Sequence, residues 1–485
     1  MKPTIAVRLT AALFALCSTG VAPAADDANE PQPTNVVVIL IDDLGWEDLG
    51  CYGSTYYQTP HIDRLAADGL RFTSGYAACN VCSPTRAAIM TGKYPARLLI
   101  TQWLPSGRWD PQKRRLREAR YLTSLPLEEV TIAEALRESG YATGFFGKWH
   151  LGALPYYYPE HQGFDLNVAG RDYGAPGSYF YPFEGTWKIP TTGKELVKDA
   201  PLDGEPGDYL TDRLTDEVET FIRDSADRPF LAFLSHYAVH TPLQGKPELV
   251  KKYERVPKQD RQGQPRYAAM VESVDESVGR IVAVLKELEL EERTLIIFTS
   301  DNGGYARATT HPSLRGNKGT NYEGGLRVPL IMKWPQAVAA GRVTDVPAIS
   351  TDLYPTILAA LELPPRPHQH LDGVNLLPLL KGEGGIDREA LYWHYPHYNQ
   401  HPDSFPSGAV RRGDWKLIES FETGECELYN LADDLAETTN RADELPERTS
   451  ELRERLADWR RKAGADSMRV NPQFVGANGS STRDE

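Results

Sequence analysis

Cysteine is scarce in this chain. There are five in 485 residues, and Cys17 falls inside an N-terminal leader. The other four, Cys51, Cys79, Cys82 and Cys426, are too few for a disulfide-stapled scaffold. Long apolar runs are lacking as well, so beyond the leader no segment is expected to cross a bilayer. Positive charge is in deficit, 53 Lys and Arg against 67 Asp and Glu, and a formal charge of −14 repels nucleic acid and other polyanions at long range. No internal repeat is found, and no low-complexity tract before the last dozen residues.

The leader itself is recognisable. Lys2 and Arg8 flank the start of an apolar run from Leu9 to Leu16, and Ala22-Pro23-Ala24 supplies an A-x-A cleavage site. Residues 1–24 therefore read as a secretory signal peptide, and the mature protein as exported, periplasmic or secreted. Leu16 is bulky where a lipid-attachment motif wants a small residue before its cysteine, so no lipid anchor is expected. The remaining 461 residues exceed one ordinary core and predict a large domain with a smaller one.

Asn35-Val-Val-Val-Ile-Leu-Ile41 is continuously apolar and β-branched, the pattern of a strand covered on both faces of a parallel sheet. Further strands are expected at 141–146, 229–235, 294–300 and 328–333. They alternate with helices at 62–70, 131–139, 210–225, 267–288 and 352–361. The alternation predicts an α/β domain over 33–375, a largely parallel sheet sandwiched by helices. Short stretches at 390–394, 408–412, 415–418 and 427–431, then a charged helix at 444–462, predict a C-terminal α+β subdomain over 376–470 with an antiparallel sheet. Residues 471–485 are expected to be a disordered tail. The basic segment 97–120, with Trp103 and Trp109, reads as a surface insertion. The segment 155–207, rich in Tyr, Pro and Gly, is long enough to be functional and suits a substrate wall.

Four of these strands end in groups that do chemistry: Asp42 and Asp43, Lys148 and His150, His240, and Asp301 with Asn302. Ligands of open parallel sheets lie beyond the carboxyl ends of the strands, so these distant residues should converge. Asp42, Asp43, Asp301 and Asn302 offer only oxygen, with no histidine or thiolate at zinc spacing. Such a set suits a hard cation, calcium more than magnesium. Either acidic stretch taken alone also fits a turn or a helix cap. Arg86, Lys148 and Lys318 would make the pocket net positive once a divalent cation joins them. His150 and His240 supply the residue type needed for general acid and base work, although each alone also fits a structural role.

In Cys82-Ser83-Pro84-Thr85-Arg86, Ser83 suits a helix N-cap and Pro84 the first helical position, with the helix ending near Gly92. Cys82 would then lie at the positive end of the helix, and Arg86 one turn on. Three readings of this stretch compete: a small buried cysteine beside a solvated arginine, a Cys79-x-x-Cys82 redox pair or half zinc site, and a sulfur at the mouth of an anion site.

The motifs DDLGWEDLGCYG, TPHIDRLAADG, CSPTRAAIMTG, GYATGFFGKWHLG, HYAVHTP, FTSDNGG and RGNKGTNYEGGLRVPLI occur in the order of the type I, formylglycine-dependent sulfatases. The chain resembles that family from residue 35 to about 430, and most closely its exported bacterial carbohydrate sulfatases. The resemblance implies an alkaline-phosphatase-like fold with a smaller C-terminal sheet domain. It implies conversion of Cys82 to formylglycine by a formylglycine-generating or sulfatase-maturating enzyme. It implies Ca2+ bound by Asp42, Asp43, Asp301, Asn302 and the modified Cys82, with Arg86, Lys148, His150, His240 and Lys318 around a sulfate. The implied reaction is attack of the formylglycine hydrate on sulfur, a covalent sulfo-enzyme, and release of sulfate as His150 takes a proton.

The substrate expected from the resemblance is a sulfated saccharide, a galactose or N-acetylgalactosamine sulfate, in a local basic pocket of an otherwise acidic protein. Trp103, Tyr173, Tyr179 and Tyr181 are expected to stack on sugar rings, and Arg315, His394 and His397 to contact substrate. Two rivals stay open: a phosphonate monoester or phosphodiester hydrolase on the same scaffold, and an inactive glycan-binding relative.

Overall fold

The computed structural model describes residues 34–104, 112–188 and 195–475. The leader and Trp109 lie outside them.

Eight strands form the main sheet: β1 (Asn35–Ile41), β2 (Leu70–Phe72), β3 (Ala142–Gly147), β4 (Leu166–Val168), β5 (Phe230–Ser235), β6 (Thr294–Ser300), β7 (Leu330–Lys333) and β8 (Arg342–Thr344). Their order across the sheet is β8-β2-β7-β6-β1-β5-β3-β4. β1 lies between β5 and β6, parallel to both, and β3 runs parallel to β5 and β4. Only β7 is reversed, antiparallel to β6 and β2. The chain leaves the end of β6, stays at that edge through the loop holding Lys318, and must return against the direction it came. This makes the sheet mixed but largely parallel.

β1 shows why the sheet is covered on both sides. Val37, Ile39 and Ile41 join one core with residues of the helices Pro60–Ala67, Leu210–Asp224 and Pro265–Glu287. Val36, Val38 and Leu40 join another with residues of Cys82–Thr91, Ile132–Glu138 and Leu353–Ala360. Successive side chains point to opposite faces, so an apolar run without polar interruption is what two helical layers require. Each such buried residue contributes roughly 1.5–3 kcal/mol.

The four C-terminal strands, β9 (Leu391–Tyr395), β10 (Ser407–Arg412), β11 (Trp415–Ser420) and β12 (Cys426–Asn430), form an antiparallel meander. The helix Pro446–Ala463 packs on it through Leu452 and Leu456. Trp393, Val410 and Leu417 share a core with Tyr76, Ala88 and Ile349 of the larger layer, so the small sheet is docked through apolar contact.

Three segments depart from expectation. Leu70 opens a short strand instead of ending a helix. The loop 155–207 contributes β4 to the sheet edge and a hairpin pairing Gly185–Lys188 with Glu195–Lys198. Within the expected tail, the Asn471 amide donates to the Arg115 carbonyl at 2.9 Å and Val475 to Gln112 at 3.1 Å, tying residues 471–475 to the 112–115 segment; residues 476–485 lie outside the described residues.

Candidate functional site

The helix Cys82–Thr91 is buried along its whole length and stops at Gly92, whose φ of 68° only glycine adopts freely. It begins two residues earlier than the capping pattern suggested. Val81 holds the cap position, and Ser83 Oγ instead accepts the Leu104 amide at 3.1 Å, which pins the neighbouring loop. Cys82 therefore occupies the first turn, where unpaired backbone N–H groups favour negative charge. Cys79 and Cys82 are both free thiols, and no disulfide joins the described cysteines.

Strand ends converge on this helix terminus. Arg86 Nε donates to Asp301 Oδ2 at 2.8 Å, and its Nη1 donates to the Lys148 carbonyl at 2.7 Å and Ser235 Oγ at 2.6 Å. One guanidinium thus ties together the ends of β6, β3 and β5. Lys148 Nζ donates to Asp42 Oδ2 at 2.6 Å, and Lys318 Nζ to Asp43 Oδ1 at 2.5 Å while lying 3.8 Å from Cys82 Sγ. Asn302 Nδ2 donates to the same Asp43 oxygen at 2.7 Å. Asp43 and His150 both hold left-handed backbone, φ 63° and 60°, an uncommon cost for residues other than glycine. Gly147 and Gly174 permit the close approach: a Cβ on Gly147 would meet the Ser235 carbonyl oxygen at 2.1 Å, and one on Gly174 would meet the His150 ring at 2.7 Å.

The two histidines differ in wiring. His150 Nε2 donates to the Leu104 carbonyl, which only accepts, so Nδ1 carries the lone pair; that atom is buried without a hydrogen-bond partner. His240 Nδ1 donates to the Thr241 carbonyl at 2.9 Å, leaving Nε2 facing Asp43 Oδ2 at 3.7 Å. Burial, with Lys148 beside His150 and Lys318 beside His240, holds both imidazoles neutral, well below their ordinary pKa. Burial also raises the Cys82 thiol, despite the pull of Lys148 and Lys318. Such a thiol is a poor nucleophile.

The carboxylates read as a cation site. Asp42, Cys82 and Asp301 present donor atoms within 4.8 Å of one another, as do Asp42, Asp43 and His240. Asp42 Oδ1 and Asn302 Oδ1 are buried with no hydrogen-bond partner. Burial raises the Asp42 carboxyl to about 8 against the pull of Lys148. Asp43 is held low against burial by Lys318, His240 and Lys148. The two orphaned oxygens, and an Asp42 carboxyl whose burial Lys148 alone does not offset, fit an oxygen-ligated divalent cation.

A cavity of about 570 Å³ opens onto this centre. Asp43, Cys82, His150, His240 and Lys318 line it, while Arg86, Lys148, Asp42, Asp301 and Asn302 stand behind. Trp103 and Tyr173 form part of its wall. Trp187 and Lys198, on the hairpin strands, and Tyr305, Arg307, Gln400 and His401, on loops, also line it, where no local pattern announced them. Ser235 was legible in principle, as the last residue of a buried strand.

Five expected substrate contacts do not line the cavity. His394 is buried and donates from Nε2 to the Asp466 carbonyl at 2.9 Å, and His397, fully buried, pairs with Thr101 and faces Glu118. Arg315 lies over the Tyr322 ring at 3.9 Å and donates to Tyr429 Oη, where it bridges toward the small sheet. Tyr179 is buried under the His240 carbonyl, and Tyr181 faces solvent. Each is a short polar or aromatic motif whose packing partner comes from a distant segment.

A family model described as Sulfatase matches residues 34–363. The chain belongs to the sulfatase family. A second model, described as N-sulphoglucosamine sulphohydrolase, C-terminal, matches residues 317–462. As a family member the chain is a sulfuric ester hydrolase. It is 37% identical to arylsulfatase A of Homo sapiens, over 83% of this chain and 78% of that protein. It is 34% identical to N-acetylgalactosamine-6-sulfatase of Canis lupus familiaris, over 76% of this chain and 69% of that one. Among solved structures it resembles Ps i-CgsB in complex with k-i-k-neocarrahexaose, with a TM-score of 0.74 and 30% identity over 88% and 93% of the two chains.

Proposed function

We propose that this sulfatase desulfates a carbohydrate, with galactose and N-acetylgalactosamine sulfates the first class to test. One observation carries the reading: a single cavity has Cys82, Lys318, His150 and His240 at its floor and Trp103, Tyr173, Trp187 and Tyr305 on its walls. A floor that Lys318 and a bound divalent cation would make positive suits a sulfate, and aromatic walls suit the faces of sugar rings. The relative named for N-acetylgalactosamine 6-sulfate and the neighbour bound to a neocarrahexaose support the saccharide.

In this reading Cys82 is the precursor of formylglycine, made by a formylglycine-generating or sulfatase-maturating enzyme, and the aldehyde hydrate provides an oxygen nucleophile where the buried thiol does not. Asp42, Asp43, Asp301, Asn302 and modified residue 82 would hold Ca2+, which supplies the positive charge that a gathering of carboxylates and an anionic ester requires. Arg86 and Lys148 are positioning residues: Arg86 orients Asp301 and Lys148 orients Asp42. Lys318 binds a sulfate oxygen. His240, whose Nε2 faces the cavity and carries the lone pair of the neutral ring, takes up a proton there once an anionic ester lies beside it, and then binds the sulfate or protonates the leaving sugar oxygen, a role for which Lys318 is the alternative. His150 takes the proton released at residue 82 on Nδ1, the atom without a partner. Export belongs to the same reading and rests on the leader 1–24; among the described residues no helix is long and apolar enough to cross a membrane.

Peptide mass spectrometry across residue 82, joined to parallel assays on saccharide sulfates and on phosphonate and phosphate esters, tests the proposal. Conversion of Cys82 and release of sulfate from galactose-type saccharides are expected. Faster turnover of the phosphorus esters would overturn it.

A further inference from the structure

The basic segment beyond Trp103 takes no part in the reaction. Between residues 112 and 120 it carries Lys113, Arg114, Arg115, Arg117 and Arg120 against one acid, Glu118, in a chain of net charge −14. Glu118 is turned inward, with Oε1 3.5 Å from His397 Nδ1, whereas Arg115, Arg117 and Arg120 are exposed.

A second strand adds to this charge. Leu116–Arg117 pairs antiparallel with Arg469–Val470, and the register sets Arg117 directly opposite Arg469, which is also exposed. Like charges directly opposite each other destabilise a ribbon. Neighbouring acids relieve them little. Asp466 lies 3.9 Å from Arg469 and Glu422 3.9 Å from Arg115, both long and solvent-exposed contacts of small worth. Arg117 and Arg120 make no side-chain hydrogen bond or ion pair among the described residues. Yet the backbone beneath them is fixed. The Asn471 amide donates to the Arg115 carbonyl at 2.9 Å, Asn471 Nδ2 to the Arg114 carbonyl at 2.7 Å, and the Arg120 amide to Asp466 Oδ2 at 2.7 Å. Opposed cations on a held ribbon of an acidic protein are explained by an anion that lies across them.

The place of the ribbon selects that anion. Leu116 N donates to Tyr398 Oη at 3.3 Å, and the Arg114 guanidinium lies 4.6 Å from the centre of the Tyr398 ring. Two residues after Tyr398 comes Gln400, which is exposed and lines the reaction cavity together with His401 and Pro402. Two residues span at most about 7 Å, so the ribbon borders the rim formed by Gln400. A chain of sugars leaving the cavity over Gln400 reaches the arginines next.

We propose that Arg117 and Arg469, flanked by Arg115 and Arg120, form an exosite for the substrate polymer: an extended sulfated polysaccharide lies across the ribbon while one of its sugars occupies the cavity. This rests on the saccharide reading above and narrows it to polyanionic chains longer than the cavity holds.

The probes are a long sulfated galactan, its own sulfated disaccharide repeat, and phosphatidylserine vesicles. Protein with residue 82 shown to be converted is used throughout, and rates are taken per cleavable ester. For the parent enzyme at low ionic strength, kcat/KM should be about tenfold or more higher on the polymer than on the disaccharide, mostly through KM. The advantage should vanish near 1 M salt, where screening acts within about 3 Å. The double variant Arg117→Gln, Arg469→Gln should bring the ratio close to one while changing kcat/KM on the disaccharide by less than about twofold. Its melting temperature should equal or exceed the parent's, because a repulsion is removed. A parent ratio near one, a ratio unmoved in the double variant, or an equal loss on both saccharides would overturn the exosite and leave the saccharide reading intact. Vesicle binding that the double variant loses, with no binding of the galactan, would assign the ribbon to a lipid surface and overturn it as well. No hydrolysis of either saccharide, with turnover of a phosphonate monoester, would remove the saccharide reading and the exosite together.

Discussion

Two buried ionic clusters lie in this molecule, and they solve the same electrostatic problem to opposite ends. At the site, Asp42, Asp43 and Asp301 meet Arg86, Lys148 and Lys318. Behind the small sheet, Glu323 and Glu437 meet Lys416, Arg327 and, through Tyr76, Arg411. The second cluster is closed by ion pairs, with Glu437 Oε1 held by the charge of Lys416 and no aligned hydrogen bond. Lys416 Nζ lies 2.8 Å from Glu323 and 2.9 Å from Glu437, Arg327 Nε donates to Glu323 Oε2 at 2.7 Å, and the Glu323 amide donates to Glu437 Oε2 at 2.7 Å. It pins β10 and β11 onto the segment leading into β7. The first cluster leaves Asp42 Oδ1, Asn302 Oδ1 and His150 Nδ1 unpartnered and opens onto a cavity. Burying charge is costly in both places. One cluster spends its partners on docking, and the other withholds them for a ligand.

If that contrast is right, changes at the site should cost activity, and changes in the closed cluster should cost stability. The largest effect is expected for Cys82→Ser. This variant should lose steady sulfate release by about 10⁴-fold or more, since one hydroxyl can at best be sulfated once and then stall. Its unfolding free energy should stay within about 1 kcal/mol of the parent, and steady turnover would contradict the scheme. Next comes Lys416→Met, which leaves two buried glutamates facing each other. Denaturant unfolding should show a loss of about 3–5 kcal/mol, and an unchanged midpoint would make the closed cluster irrelevant to docking.

Calcium should act on the first cluster alone. At a free concentration about a hundredfold above its dissociation constant it should add about 2.7 kcal/mol of stability, removed by a chelator and blunted in Asp301→Asn. Calorimetry with and without the ion reads this directly, and a thermogram indifferent to calcium would argue against the cation site.

The smallest effect is a pH dependence in the closed cluster. Burial and the neighbouring Glu323 raise Glu437 to about 7, above its ordinary value of 4.5 and against the pull of Lys416. Between those values the folded state holds a proton that the unfolded state has lost, so this group's contribution falls as pH rises from 4.5 to 7. Glu323 has the opposite sign. Lys416, Arg327 and Arg411 hold it low against burial, so its contribution is present above pH 4.5 and lost as pH falls through its depressed folded pKa. Glu437→Gln should therefore flatten the fall in stability between pH 4.5 and 7, because its amide does not titrate. A slope identical to the parent's would assign the titration elsewhere.

Much of the large sheet could be read directly. The run 294–300 becomes β6 with its expected bounds, and 35–41 becomes β1, because an uninterrupted apolar stretch has few places to go other than the middle of a covered sheet. Thr131 and Glu134 form a capping box at the start of the 132–138 helix, where the helix was expected to begin. The aspartates, Lys148 and His240 could be nominated because they follow such strands. The signal failed in the loops. His394 lies within a strand and His397 follows it, but in a sheet whose edge is packed against residues 101, 118 and 466 and not against the cavity. Trp187, Lys198, Tyr305 and Arg307 carry no periodicity that sets them apart from any surface residue.

Local order, the central strands and the family motifs were written in the chain itself, since side-chain alternation and capping depend on neighbours a few residues away. Which loops meet above Cys82 was decided only in three dimensions. Arg86 joins the ends of three strands more than sixty residues apart, and the hairpin at 185–198 and the turn at 305–309 reach one cavity by packing. Contacts of that range depend on how the whole sheet is ordered, and no window along the sequence contains both partners.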